Sequence, residues 1–215
     1  MAVDDGIGRI GRAVLAWLVA AGVACAALAQ GTPPAQASFK PEELEGLVAP
    51  IALYPDSVLS QVLMASTYPL EVVLATRWLK ANPGKKGDAA VKAVEGETWD
   101  VSVKSLVAFP QVLEPMNDKL DWTQKLGDAF LAQESEVLAA VQRLRAKAQQ
   151  NGKLESNEQQ KVIVEPATST ATGTQTVVRI EPANPQVIYV PAYDPMVVYG
   201  TWADPSYPPY YWPPY

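Results

Sequence analysis

Histidine is absent from the 215-residue chain, and cysteine occurs once, at Cys25 in an N-terminal apolar run. Without histidine the chain lacks the commonest general acid or base and the commonest zinc ligand. If the apolar run is a leader cleaved after Ala29, the remaining chain has no cysteine either, which excludes disulfides, cysteine nucleophiles and Ser-His-Asp triads. Only carboxylates could then bind a metal ion, and the sequence has no calcium-binding loop motif. We therefore expect no metal and no cofactor.

Basic residues are also few. Lys and Arg number 17 against 23 Asp and Glu, which gives a formal net charge of −6. The basic residues are scattered, and only Arg143, Arg145 and Lys147 form a cluster, at the end of a predicted helix where cations suit the helix dipole. Because binding to nucleic acid requires a basic face, we expect no nucleic-acid partner.

The first 29 residues have the order of features that is typical of a secretory signal. Arg9 and Arg12 precede an uncharged apolar run, residues 13–29, which ends in the small-residue site Ala27-Leu28-Ala29. We predict a signal peptide over residues 1–29, followed by a spacer over residues 30–38.

Three alternatives to cleavage after Ala29 remain open. Cleavage could follow a second small-residue site at Ala35-Gln36-Ala37. The segment could be retained as an anchor, although ~17 residues is the short limit of a membrane span. Cys25 could carry a lipid, but Gly22 stands where a lipidation motif has a bulky aliphatic residue. We expect membrane contact only if the segment is retained or lipidated.

Residues 39–150 show apolar side chains at helical spacing, interrupted by prolines. Pro41 stands at a natural first helical position before Glu42 and Glu43. The strongest element is a single helix over residues 121–150, opened by a capping box and ended at Gly152. We predict an all-helical domain of five to seven helices over residues 39–150.

The apolar pattern changes to β-type runs after a linker at residues 151–159. Three such runs (162–164, 178–180 and 187–190) are each followed within two residues by Pro-Ala, and residues 197–199 are a fourth candidate strand. We predict a small antiparallel β module over residues 160–200 and a disordered Pro/Tyr-rich tail over residues 201–215. The fold class is therefore α+β.

Four segments of the chain resemble a family of exported bacterial proteins. They are residues 39–44 (FKPEEL), 49–56 (APIALYPD), 99–110 (WDVSVKSLVAFP) and 187–200 (VIYVPAYDPMVVYG). The family is catalogued as domain of unknown function 3300, and the resemblance covers roughly residues 39–200. It implies export to the periplasm or envelope of a Gram-negative bacterium, and it supplies no catalytic residues.

Carboxylates are the only candidates for catalysis that the composition leaves. A glycoside hydrolase would need two of them, one protonated and one ionised, at a fixed separation. No sequence spacing singles out such a pair, and solvated or helix-capping roles are the simpler interpretation. The acids considered are Asp56, Glu71, Asp100, Glu114, Asp118 and Asp121.

Aromatic side chains are the main candidates for binding. Trp78, Trp99 and Trp122 lie among apolar residues at helical spacing, so we expect them in the core rather than at a sugar site. The last 35 residues hold nine of the 19 prolines and half of the aromatic rings. The tail could be a plain spacer, or it could dock on a partner's groove or a glycan surface. The binding residues predicted on the second view are Tyr207, Tyr210, Tyr211, Trp212 and Tyr215.

The function predicted from the sequence is that of an exported envelope protein that binds or scaffolds and does not catalyse. Its expected partner is an envelope protein or a cell-wall component. The alternative is a carboxylate-dependent hydrolase that acts on cell-wall glycan or peptide.

Overall fold

Eight helices follow one another over residues 41–150 in the computed structural model, which describes residues 38–170 and 173–212. They are α1 (Pro41–Val48), α2 (Asp56–Ala65), α3 (Pro69–Ala81), α4 (Asp88–Ala93), α5 (Val101–Leu106), α6 (Pro110–Asp118), α7 (Leu120–Ala132) and α8 (Glu134–Gln150). Two strands, β1 (Gln160–Thr170) and β2 (Gly173–Pro182), and a short helix, α9 (Pro195–Val198), come next. The predicted signal peptide and Tyr215 lie outside the described residues.

The predicted α+β class is confirmed, because a helical region precedes one small antiparallel sheet. Several helix ends lie where the sequence indicates them. Pro41, Pro69 and Pro110 each occupy the first turn of a helix, where a missing N–H costs nothing. Gly152 has a positive φ of 64° just after α8 and ends that helix as predicted.

The single helix predicted over residues 121–150 is wrong, because it is two helices that meet at Gln133. This residue has φ −147° and ψ 53°, which is outside the helical region. Its side-chain oxygen accepts a hydrogen bond from the Phe39 N–H at 2.6 Å, and its amide nitrogen donates to the Phe39 carbonyl at 3.3 Å. The predicted capping box does not form either, since α7 begins at Leu120 without a side-chain cap. The extra break brings the helix count over residues 39–150 to eight.

The sheet is a hairpin in which Val164 pairs with Val178, with a bulge between Glu165 and Thr168. The third and fourth predicted strands are wrong. Residues 187–190 contribute only an isolated bridge between Asn184 and Val187, and residues 197–199 overlap helix α9. This helix forms because the Asp194 carboxylate caps the Met196 N–H at 2.8 Å and Pro195 occupies the first turn.

One hydrophobic core joins the helices to the hairpin and to the C-terminal segment. Trp122 is fully buried, Trp99 is buried and Trp78 is half-buried against them, as expected. The core also contains Trp212, which is 7% exposed. The disordered tail expected from residue 201 is therefore not confirmed, because residues up to Trp212 pack on the helices.

No single helix among the described residues is long and apolar enough to span a membrane. Helices α2 and α3 together would meet a length and composition criterion, but the chain bends by 113° between them.

Candidate functional site: a tyrosine-lined pocket

The C-terminal strap, which we define as residues 183–212, is tied to the turn between α1 and α2. The hydroxyl oxygens of Tyr193 and Tyr199 lie 2.8 and 2.9 Å from the carbonyl oxygen of Ala49. The Leu53 N–H donates to the Tyr193 hydroxyl at 3.2 Å. Burial raises the pKa of both phenols above the ordinary value of 10. Two of the four segments that carry the family resemblance, residues 49–56 and 187–200, are thus in direct contact.

Two indole rings and one backbone hydrogen bond fix the end of the strap. The Trp202 indole N–H donates to the Tyr207 carbonyl at 2.7 Å, and the Tyr210 backbone N–H donates to the Gly46 carbonyl at 3.1 Å. The ring of Trp212 packs edge-on against Trp122 with centroids 4.7 Å apart. These contacts hold the turn at residues 204–210 against helices α1 and α7.

Between this turn and the two helices lies an open pocket of about 230 Å³, which we call the tyrosine pocket. Its lining residues are Glu43, Gly46, Leu47, Lys125, Ser206, Tyr207, Pro208, Pro209 and Tyr210. Gly46 leaves room for the turn, because a Cβ there would lie 3.1 Å from the Pro208 carbonyl oxygen. The walls therefore combine two phenol rings with a charged pair.

The charged pair is the ammonium of Lys125 and the carboxylate of Glu43, 2.7 Å apart. The hydrogen bond to Glu43 raises the pKa of Lys125, and the negative charge of Glu43 adds to the rise. A second ammonium, that of Lys40, lies 5.7 Å from the centre of the Tyr207 ring. Because Glu43 and Lys125 neutralise each other, the pair offers hydrogen bonds without a net charge.

The five predicted binding residues have different positions. Tyr207 and Tyr210 line the pocket together. Tyr211 is 44% exposed and does not line the pocket, whereas Trp212 is core. Tyr215 lies outside the described residues. The structure thus brings together two of the five.

Sequence reasoning missed Glu43 and Lys125 as pocket residues. The sequence indicates Glu43 only as an acid that suits the start of α1, and Lys125 as one of several charged residues on a helix. No local signal marks either one, since their proximity depends on the packing of α1 against α7.

Three of the six candidate catalytic acids, Asp56, Glu71 and Asp100, have structural partners. Asp100 caps α5 and accepts from the Ser102 N–H at 2.9 Å, and hydrogen bonds from Ser102 lower the pKa of Asp100. Glu71 accepts from the Asp100 N–H at 2.6 Å, and Asp56 pairs with Arg145. Glu114 is half-buried, while Asp118 and Asp121 are exposed. Within residues 38–170 and 173–212, no group of three His, Cys, Asp or Glu side chains could hold a metal ion.

The chain is similar to a protein family and to a curated protein. A family model described as "Protein of unknown function (DUF3300)" matches residues 40–215. The uncharacterized protein YacH of Escherichia coli (strain K12) is 49% identical over 202 residues, which cover 83% of this chain and 33% of the relative. The chain thus spans about a third of the length of that relative. No solved structure matches.

Proposed function

Because the chain belongs to the DUF3300 family, which is described as of unknown function, we propose from the chain's own sites that it is an exported, non-catalytic binding or scaffolding protein of the cell envelope. The observation that carries the proposal is the tyrosine pocket. It joins two tyrosine residues to hydrogen-bonding groups in a concave site, which is the usual composition of a binding pocket.

The export part of the proposal is supported by the signal-like pattern of residues 1–29. Mass spectrometry of the protein purified from a Gram-negative periplasm should find Gln30 or Ser38 at the N-terminus. A chain that begins at Met1 in the soluble cytoplasmic fraction would contradict export.

The chemistry of the pocket favours an uncharged sugar ring of a cell-wall glycan as the ligand. Phenol faces pack against apolar ring C–H groups, while the neutralised Glu43–Lys125 pair and the phenol hydroxyls can exchange hydrogen bonds with sugar hydroxyls. The volume of about 230 Å³ is below the roughly 300–1,000 Å³ of pockets for drug-sized molecules. We therefore expect one ring of a glycan chain to enter.

The alternative, a carboxylate-dependent hydrolase, has weaker support. Its general acid needs a raised pKa. Hydrogen bonds from Ser102 lower the pKa of Asp100. For Glu45, burial raises the pKa, but hydrogen bonds from Lys147 and Arg143 outweigh this effect and the pKa is lowered. Both acids therefore favour the ionised form, which is the wrong form for a general acid.

Co-sedimentation with purified peptidoglycan sacculi, together with calorimetric titration of soluble N-acetylglucosamine oligomers, tests the proposal. We expect Tyr207→Ala to weaken both kinds of binding by about tenfold or more. Tyr211→Ala is the matched control, because this ring lies in the same segment but outside the pocket. Equal binding by wild type and Tyr207→Ala would show that the pocket is not the site. Release of soluble sugar or peptide fragments from the sacculi would favour the hydrolase.

A further inference from the structure

An apolar groove lies on a different part of the protein, between α2, α8 and strand β2. Its volume is about 370 Å³, and it shares no lining residue with the tyrosine pocket. Its apolar lining residues are Leu59, Leu63, Met64, Phe130, Leu138, Val141 and Val177. Met64 is 40% and Leu138 42% exposed, so large apolar side chains on both helices face solvent.

The strand at the edge of the groove is already hydrogen-bonded. The Val178 N–H donates to the Gln142 side-chain oxygen at 2.8 Å, and the Val178 carbonyl accepts from the Gln142 amide at 3.3 Å and from Arg145 at 2.7 Å. Addition of a further strand here would have to displace these bonds. The groove is thus suited to recognise apolar side chains rather than an extended backbone.

The charged side chains at and beside the groove have a small negative excess. Among the lining residues, two acids, Asp56 and Glu134, balance Arg145 and Arg179. Arg145 is paired with Asp56, and Arg179 is bound by Glu165 and Glu181, two acids that lie beside the groove and do not line it. Glu134 is exposed and forms no ion pair within the described part of the chain. Electrostatic complementarity therefore favours a basic partner over an anionic lipid surface.

We propose that this groove docks an amphipathic helix of a partner protein that presents apolar side chains flanked by Lys or Arg. Two helices form its walls, so the helix-in-groove mode of recognition fits better than any other mode that uses side chains. Met64 is suited to the role, because its flexible side chain adapts to the surface that it meets. A protein that held a glycan in one pocket and a partner helix in this groove would link the two.

A synthetic amphipathic helix of about 18 residues, roughly five turns, with Leu on one face and Lys on the other, is the probe. Fluorescence anisotropy should show saturable binding that weakens as the salt concentration rises. The same peptide with Glu in place of Lys should bind at least about tenfold more weakly. Glu134→Gln should reduce both the affinity for the Lys peptide and its dependence on salt.

The double variant Met64→Gln, Leu138→Gln should lose peptide binding, because it makes the apolar surface polar and leaves the charge of the groove unchanged. Both residues are partly exposed, so the variant should keep its fold, which circular dichroism and thermal unfolding would verify. Leu70→Gln is the matched control, since Leu70 is exposed on α3 and outside the groove.

Three results would overturn the proposal. They are equal binding of the Lys and Glu peptides, unchanged binding by the double variant, and binding to phosphatidylglycerol vesicles in place of the peptide. Tyr207→Ala should leave peptide binding unchanged, so failure of the glycan proposal would not be mistaken for failure of this one.

Discussion

The Nη1 atom of Arg145 lies 2.7 Å from a carboxylate oxygen of Asp56, and the Arg145 side chain is only 2% exposed, against 40% for Asp56. The same guanidinium donates to the carbonyl oxygens of Ala52 at 2.8 Å, Tyr54 at 3.1 Å and Val178 at 2.7 Å. A planar group with five donors can satisfy all these acceptors at once. Arg145 therefore joins helix α8, the turn before α2 and strand β2.

Replacing Arg145 should be far more costly than replacing its charged partner. Arg145→Met keeps an apolar stem but removes the guanidinium donors from three carbonyls, and we expect it to lower the free energy of unfolding by about 3–5 kcal/mol. Asp56→Asn should cost less, about 1–2 kcal/mol, because Asp56 is partly solvated and an amide oxygen at this position can still accept from the buried guanidinium. Urea unfolding followed by tryptophan fluorescence measures both. Equal losses would mean that the carbonyl contacts contribute little.

The burial of Arg145 could have been predicted from its spacing along helix α8. The sequence predicts Arg143, Arg145 and Lys147 as cations near a helix end, and Arg143 and Lys147 are indeed partly exposed and bound to Glu45. Arg145, however, follows Val137 and Val141 at intervals of four, on the buried face of α8. Its helical spacing alone could have predicted burial, and burial of an arginine predicts a set of acceptors.

Local sequence signals predict the helix starts and the hairpin, whereas the break between α7 and α8 and the charged pair of the tyrosine pocket depend on long-range contacts. Pro41 and Gly152 act through their own backbone geometry, so the sequence shows them directly. Gln133 breaks a helix through hydrogen bonds to Phe39, and nothing near Gln133 in the sequence indicates this. The Glu43–Lys125 pair could not be predicted from the sequence for the same reason, because the two residues meet only through the packing of α1 against α7.

The position of Gly127 has no room for even the smallest side chain. Gly to Ala inside a helix normally stabilises it by up to about 1 kcal/mol. Here a Cβ would lie 2.3 Å from the Ser66 carbonyl oxygen, which is backbone and cannot rotate away. Gly127→Ala should therefore destabilise the protein by about 1–3 kcal/mol in thermal or urea unfolding. Gly96→Ala is the control, because a Cβ there meets nothing within 4 Å, and it should stay within about 0.5 kcal/mol of wild type.

The hydroxyls of the half-buried Tyr193 and the buried Tyr199 predict a loss of stability at alkaline pH. Burial raises the pKa of Tyr193 and of Tyr199 in the folded state, so the unfolded chain ionises first as pH rises. Their contribution to stability is complete below pH ~10 and is lost as pH rises toward the folded pKa, at up to about 1.4 kcal/mol per pH unit for each group.

Unfolding measured from pH 8 to pH 11 tests this prediction. The Tyr193→Phe, Tyr199→Phe double variant should be less stable at pH 8, because the Leu53 N–H loses its acceptor. It should also lose less stability than wild type between pH 10 and pH 11. Parallel curves for the two proteins would contradict the assignment, and Tyr211→Phe, on an exposed ring, is the control.

Trp212 makes the end of the strap part of the fold, and its loss should therefore affect both stability and binding. Trp212→Ala removes a ring that packs on Trp122 and lies 6.4 Å from the Tyr54 ring, at an expected cost of about 3–5 kcal/mol. Trp212→Phe should cost less, because the indole nitrogen has no hydrogen-bond partner within the described structure. Tyr211→Ala, one residue earlier but exposed, should keep the free energy of unfolding within about 0.5 kcal/mol of wild type.

Since the docked strap supplies part of the wall of the tyrosine pocket, Trp212→Ala should also weaken glycan binding at temperatures where the helices remain folded. Loss of neither stability nor binding would support the disordered tail that the sequence predicts.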